Sequence, residues 1–198
     1  KLIMSAGFKY DLVPPVEQEE RYDVQTGIRR RGPYKLDTTN LAVGTILPSF
    51  IPVYADLKNK FAHTVRNIRV AEAYASGTSI KIAKTPLAYV GMFIGNGSKG
   101  AKVTAIDKSN EKYDVLTIEA AFGENVAKDA VLFEAAAVDG TKQKYVANSA
   151  LYERTKVDDG IVLVALLRTA AEIEPSKLAI PFSENDKANL KGWFEFNE

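Results

Sequence analysis

Apolar and polar residues alternate in short runs over most of the chain, and this pattern predicts β strands. Residues 78–82 (Thr-Ser-Ile-Lys-Ile) repeat with a period of two, as expected of a strand with one buried face. Residues 103–107 and 113–118 have the same character and flank the polar segment 108–112, which predicts a hairpin. Residues 161–167 form a longer apolar run, which is typical of a central strand.

Helical signals are few, and the clearest one lies near the C-terminus. Residues 183–186 (Ser-Glu-Asn-Asp) resemble a capping box before a short helix, and Gly192 is placed to end that helix. Residues 193–196 then alternate in the manner of a strand that carries aromatic side chains. Residues 119–135 fit either a helical turn or two, or a strand, and the pattern leaves both open. The predicted fold class is mainly β with one short C-terminal helix.

Residues 1–40 differ from the rest of the chain. Pro14-Pro15 breaks any helix, and the acidic cluster Glu17, Glu19 and Glu20 precedes the basic cluster Arg29-Arg30-Arg31. Apolar residues show no period of 2 or 3.6, so we expect no buried face within this stretch. We therefore predict an extended N-terminal arm, which becomes ordered only against the body or against a partner.

The remaining chain divides most simply into a body and an insert. We expect residues 41–70 and 139–198 to form a β body of the small barrel or β-tulip type. Residues 71–138 would be an inserted, β-barrel-like lobe. Small and polar residues near both ends of 71–138 are typical of such boundaries.

Composition excludes several kinds of chemistry. The chain has no Cys and one His, so it has no thiolate ligand, no cysteine nucleophile and a single possible imidazole base, His63. Its 26 basic and 25 acidic side chains give a net charge of +1, which offers no global attraction to nucleic acid. No apolar run approaches the roughly 18 residues that span a bilayer, so we expect no membrane partner.

The motif Gly95-x-Gly97-x-x-Gly100 matches the dinucleotide-binding fingerprint in its spacing alone. That site needs a helix directly after the last glycine, because the pyrophosphate binds at the helix N-terminus. Residues 101–106 (Ala-Lys-Val-Thr-Ala-Ile) instead predict a strand. We interpret the glycines as a hairpin loop and expect no cofactor.

Catalytic arrangements are equally incomplete. His63 has Asp56 as its nearest upstream carboxylate, but the Gly-x-Ser-x-Gly motif of a serine hydrolase is missing. The paired carboxylates Asp158-Asp159 are better explained as part of a turn. We therefore expect neither enzymatic activity nor a metal site.

The basic triplet remains as a candidate contact. Arg29, Arg30 and Arg31 could bind phosphate, but one triplet without a wider basic face favours docking on another protein. Tyr22 and Tyr34 are the aromatic residues near the triplet that would join such a contact. These five residues form the predicted partner-binding set.

Two stretches carry a resemblance to a known family. Residues 41–48 (Leu-Ala-Val-Gly-Thr-Ile-Leu-Pro) and 52–56 (Pro-Val-Tyr-Ala-Asp) resemble the opening of phage head decoration and head-fibre proteins. Residues 147–152, 161–168 and 178–182 resemble the closing segment of prophage head-fibre-like proteins. The resemblance covers the chain from residue 41 onward. It departs at 169–171 (Thr-Ala-Ala), where a Gly-rich continuation is expected, and at the insert, which the compact lambda-type decoration protein lacks.

The resemblance implies a non-enzymatic virion protein, made in the bacterial host cytoplasm, that decorates or cements the outside of a phage capsid. It implies a homotrimer whose arm docks on the major capsid protein. The alternative is a carbohydrate-binding or adhesion module that uses exposed aromatic residues, for which Trp193, Phe194 and Phe196 are the candidates.

Overall fold

A computed structural model describes residues 21–197. This part of the chain contains sixteen short strands, one 3-10 turn at Pro175–Lys177 and one helix, α1 (Glu184–Leu190). The strands in chain order are β1 (Asp23–Arg29), β2 (Tyr34–Leu36), β3 (Ile46–Leu47), β4 (Pro52–Asp56), β5 (Phe61–Thr64), β6 (Asn67–Arg69), β7 (Ser79–Ala83), β8 (Phe93–Gly95), β9 (Gly100–Asp107), β10 (Tyr113–Ile118), β11 (Val131–Glu134), β12 (Ser149–Leu151), β13 (Thr155–Lys156), β14 (Leu163–Val164), β15 (Leu166–Ile173) and β16 (Phe194–Phe196).

The body is an eight-stranded sheet that curls into a half-barrel. Its strand order is β1-β15-β12-β4-β5-β2-β14, and β16 pairs with β15 in parallel. The other pairs are antiparallel except β2 with β5. One apolar core contains Leu47, Ile51 and Leu166, and another is built around Phe50 and Phe182. The mainly β class predicted from the sequence is confirmed.

The lobe is a six-stranded sheet with the order β6-β11-β8-β9-β10-β7. A bridge between Val70 and Ile82 joins its two ends, and the Ala71 amide donates to the Lys81 carbonyl at 2.9 Å, so the sheet closes into a small barrel. The barrel encloses its own core of fully buried side chains, among them Ile80, Ile94, Leu116 and Leu132. Its strands span residues 67–134.

Local signals in the sequence identified several elements correctly. The predicted strand at 78–82 is β7, and the predicted hairpin is β9 and β10, paired from Val115 with Asp107 to Ile118 with Val103. In the capping box, the Asp186 amide donates to Ser183 Oγ and the Ser183 amide donates to the Asp186 carboxylate. In the open region 119–135, residues 131–134 form strand β11, and 122–126 contain no helix.

The run 161–167 differs from the predicted central strand. It is divided between β14 and β15, and β14 lies at the edge of the sheet. Ile161 is 73% exposed and Leu163 is 60% exposed, whereas Val162 and Val164 are buried. Apolar residues thus occupy both faces of this part of the run, although one of the two faces is exposed to solvent. Because the apolar residues are continuous, the pattern predicted a strand buried on both faces.

Residues 21–40, the second half of the expected arm, contribute two strands to the body sheet. β1 pairs with β15 at one edge, and β2 lies between β5 and β14. Tyr34 and Leu36 are each 2% exposed and belong to the core. β2 has only three residues, so its alternation is too short to register as a period of two. Residues 1–20 lie outside the described residues.

Candidate functional site

The basic triplet lies where β1 ends and the chain turns toward β2. Arg29 and Arg31 are exposed, while Arg30 is partly buried. Arg30 Nε donates to Ser149 Oγ at 2.6 Å, and its terminal nitrogen donates to the Asn148 carbonyl at 2.7 Å. Successive residues of an extended chain point to opposite sides, so three equal charges acquire different roles. Arg30 fastens the chain end of β1 to β12, and its two neighbours face solvent.

The two tyrosines of the predicted set lie inward. The Tyr22 ring stacks on Phe50, with centroids 4.5 Å apart, and burial together with nearby Tyr152 raises the pKa of its hydroxyl. Tyr34 is a core residue, and Lys60 Nζ lies 4.8 Å from its ring centroid. Tyr34 therefore presents no ring surface to a partner, and Tyr22 presents part of one.

The structure adds two apolar residues that the sequence analysis missed. Val24 and Ile28 on β1 are 62% and 59% exposed. Within residues 21–197 β1 is an edge strand, so these side chains and the exposed Arg29 and Arg31 lie along the same edge of the sheet, which we call the β1 surface. Arg29 also lies over the Tyr152 ring, at 5.0 Å from its centroid. The spacing of Val24 and Ile28 in an otherwise polar stretch was the available signal.

His63 is engaged in packing and pairing. Its Nδ1 lies 2.9 Å from Asp37 Oδ2, and its ring stacks on Tyr145 with centroids 4.5 Å apart. Burial disfavours the Asp37 carboxylate, but hydrogen bonds from Thr39 and from His63 outweigh it and hold the pKa of Asp37 below its usual value. Asp56, the upstream carboxylate, instead accepts from the amides of residues 58 and 59 in a turn.

Acidic residues are equally dispersed. Asp158-Asp159 lies in the loop between β13 and β14, where Asp158 Oδ1 is 3.7 Å from Lys156 Nζ. Within residues 21–197, no group of three or more His, Asp or Glu side chains is placed to hold a metal ion.

The glycine motif has a packing role. Gly95 and Gly100 face each other across the β8–β9 hairpin, and Gly97 has a φ of 99° in the turn. A Cβ atom on either paired glycine would collide with the backbone of Gly140, whose carbonyl accepts from the Gly97 amide at 3.0 Å. Strand β9 begins at Gly100 itself, which confirms the predicted hairpin. These glycines allow the segment that returns to the body to lie directly against the hairpin.

A cleft of about 740 Å³ opens between the lobe and the C-terminal segment of the body. Val131 and Phe133 line it from the lobe, and Leu178, Phe182 and Phe196 line it from the body. Sequence reasoning could not have found it, because its walls are some 50 residues apart along the chain.

The C-terminal aromatic residues do not share an exposed face. Phe194 is 5% exposed and belongs to the core, while Trp193 is 50% exposed and lies under the Arg168 guanidinium at 4.4 Å. The clustered aromatic platform that a glycan-binding module would use is therefore not formed by Trp193, Phe194 and Phe196.

These features define a mainly β protein with two large sheets and a two-stranded one formed by β3 and β13. Of the predicted contact residues, Arg29 lies on the edge strand β1, and Arg30 and Arg31 directly follow it. None of the helices within residues 21–197 is long and apolar enough to span a bilayer. A family model described as "Head fiber protein" matches residues 3–195, so the chain belongs to the head fiber protein family and is a structural protein of the phage head. The resemblance seen in the sequence is confirmed. No curated protein and no solved structure matches the chain.

Proposed function

We propose that this protein decorates and cements the outer surface of a phage capsid, as a homotrimer whose partner is the major capsid protein. Family membership supports a structural role in the phage head. The observation that supports the docking role is the β1 surface, where two arginines and two apolar side chains are exposed along a strand edge that no strand of residues 21–197 covers.

The chemistry of the β1 surface fits an acidic protein surface. Arg29 and Arg31 are exposed, so they would meet carboxylates at the rim of a contact and mainly increase its rate of formation. Val24 and Ile28 would supply apolar area, at roughly 25 cal/mol per Å² buried. An edge strand can also extend its ladder onto a partner strand.

The trimer contact is proposed at the opposite edge of the sheet. Leu163 on β14 pairs with Lys35, and Lys35 pairs with Phe61, so the three side chains lie side by side on one face. Phe61 is 37% exposed, Leu163 is 60% exposed, and Ile161 precedes them at 73%. An exposed apolar strip of this kind is typical of a surface covered in an assembly.

The decisive experiment reverses the charges of the β1 surface. The full chain carrying Arg29→Glu and Arg31→Glu is mixed with capsids that lack this protein, and binding is measured by co-sedimentation at about 0.15 M salt. We expect affinity to fall at least tenfold, because two attractive contacts become repulsive. Deleting residues 1–40 would not be informative, since it would remove β1 and β2 from the sheet.

The matched control carries Lys108→Glu and Lys112→Glu, which make the same change of charge in the exposed loop between β9 and β10. It should bind as the unmodified protein does. Equal binding by both variants would show that the β1 surface does not contact the capsid, and no binding by the unmodified protein would contradict the decoration role itself.

A further inference from the structure

Arg168 and the single tryptophan of the chain, Trp193, form an exposed pair on the body. The Arg168 guanidinium lies over the indole, 4.4 Å from the ring centroid, and Trp193 is 50% exposed. Within residues 21–197 the Arg168 side chain donates no hydrogen bond and forms no salt bridge. A guanidinium over an aromatic ring can still donate two parallel hydrogen bonds from its edge. The pair is therefore held in place with its donors unused.

A second guanidinium lies on the same face of the sheet. The Arg30 amide donates to the Leu166 carbonyl at 2.7 Å, so Arg30 lies beside Leu166, and Arg168 is two residues further along β15 on that face. Arg30 Nε reaches across β15 to Ser149 Oγ at 2.6 Å, and the register of β12 places Ser149 opposite Arg168. Burial lowers the pKa of Arg30, and the charge of Arg168 lowers it further. The two positive charges therefore act on each other.

Neither charge is neutralised by a carboxylate of the described chain. The ion pairs within residues 21–197 involve other side chains, and no carboxylate oxygen in that range lies within 4.0 Å of Arg30 or Arg168. Glu195 on β16 is exposed, but it does not pair with Arg168. Two guanidiniums without a counter-charge concentrate positive potential at this point of the surface. The site is therefore complementary to a negative group on a partner.

The chemistry of the site favours a protein carboxylate over nucleic acid. One planar guanidinium matches the two oxygens of a single carboxylate, whereas nucleic acid is held by a row of basic residues along its phosphates. The net charge of +1 offers no general attraction to a polyanion. Trp and Arg are also the residues that most often dominate the energy of protein–protein contacts. Trp193 would add apolar area beside the ion pair and exclude water from it.

We propose that Arg168, held by Trp193, binds a carboxylate side chain of the major capsid protein. Arg30 adds its charge to the site and keeps its own hydrogen bonds to Ser149 and Asn148. β1 is the neighbour of β15 in the sheet, so this contact would lie next to the β1 surface and enlarge it. The inference rests on the proposed decoration role and names one contact within it.

Single substitutions in the full chain, mixed with capsids that lack this protein, test the anchor. Arg168→Gln removes the charge and the fork of donors, and we expect co-sedimentation to show about tenfold weaker binding. Arg168→Lys keeps the charge without the planar fork and should bind about fivefold more weakly. Arg154→Gln, the matched control in the exposed turn between β12 and β13, should stay within about twofold of the unmodified protein. Binding of Arg168→Gln or of Arg168→Lys at the level of this control would overturn the proposal.

Blocking the carboxylates of the capsid identifies the bound group. Amidation with carbodiimide and glycinamide converts exposed carboxylates to neutral amides, so it should weaken binding of the unmodified protein about tenfold more than binding of Arg168→Gln. Equal weakening of both proteins would show that Arg168 meets no carboxylate. Binding of a DNA duplex by the unmodified protein but not by Arg168→Gln would assign the site to phosphate and contradict our proposal.

The co-sedimentation assay also separates this contact from the decoration role. If the unmodified protein does not bind capsids, the decoration role is contradicted and the Arg168 contact falls with it. If the unmodified protein binds and the Arg168 variants bind equally well, the decoration role stands and the Arg168 contact alone is wrong.

Discussion

Arg29, Arg30 and Arg31 show how backbone geometry divides identical residues among different tasks. Their sequence suggests one basic patch, but alternation turns Arg30 inward to Ser149 and Asn148 and leaves the other two exposed. Burial lowers the pKa of Arg30, and its two charge-assisted hydrogen bonds compensate for the lost solvation. Arg30 is consequently a structural residue, and the contact role proposed for the triplet rests on its neighbours.

Replacing Arg30 should therefore destabilise the fold far more than replacing Arg31. Arg30→Ala leaves Ser149 Oγ without its donor from Arg30 in a part-buried setting, and we expect a loss of about 1–3 kcal/mol in the free energy of unfolding. Arg31→Ala, the matched control on the exposed side, should change it by less than about 0.5 kcal/mol. Urea denaturation followed by circular dichroism measures both values. Equal losses would contradict the division of roles.

At the scale of the element, the sequence predicted the strands and the helix whose signals lie within a few neighbouring residues. The β9–β10 hairpin and helix α1 were predictable because a polar turn and a capping box are local features. β2 was missed because three residues carry too little pattern, and its place in the sheet depends on contacts with β5 and β14. The cleft was missed for the same physical reason, since tertiary packing alone brings its walls together.

The β8–β9 hairpin gives the clearest element-scale prediction. Gly100→Ala would direct a Cβ atom into the backbone of Gly140, and we expect a loss of about 3 kcal/mol in the free energy of unfolding. Gly44→Ala is the control, because Gly44 has a φ of 88° but open space around it. In Gly44→Ala, backbone strain alone should lower the free energy of unfolding by about 1 kcal/mol.

Hydrogen exchange at one amide distinguishes the causes. The Gly97 amide, which donates to the Gly140 carbonyl, should exchange faster in Gly100→Ala and at the original rate in Gly44→Ala. An unchanged Gly97 amide in Gly100→Ala would mean that the glycine contact is not what the substitution disturbs.

At the scale of the whole molecule, a buried polar seam connects the lobe and the body. Asp186 is fully buried, and its carboxylate accepts from Asn67 Nδ2 at 2.6 Å, from Gln143 Nε2 at 3.0 Å and from the Ala147 amide at 2.7 Å. Asn67 belongs to the lobe and Asp186 to the body helix. The apolar core of the lobe is separate from that of the body. The hydrogen bonds to Asp186 therefore fix how the two parts meet.

The assembly prediction also belongs at this scale. If the strip of Ile161, Leu163 and Phe61 forms the trimer contact, Leu163→Glu should convert a species of three 21.7 kDa chains into monomers, because it buries an unpaired charge at the contact. Val90→Glu, equally exposed but on the lobe, should remain trimeric. Light scattering coupled to size exclusion measures the mass. A trimeric Leu163→Glu would refute this location, and a monomeric unmodified protein would refute the trimer.

The way in which the chain enters and leaves the lobe has a consequence for engineering and for natural variation in length. β6 carries the chain in and β11 carries it out, and these strands are paired neighbours, with Asn67 opposite Phe133. The two ends of the lobe segment therefore lie side by side where they join the body, whatever sequence lies between them. We therefore expect that a foreign domain grafted between residues 70 and 130 could replace the lobe while the body sheet keeps its fold. Such a graft has to leave Gly140 the space that Gly95 and Gly100 provide, and to give strand β11 a neighbour in place of β8.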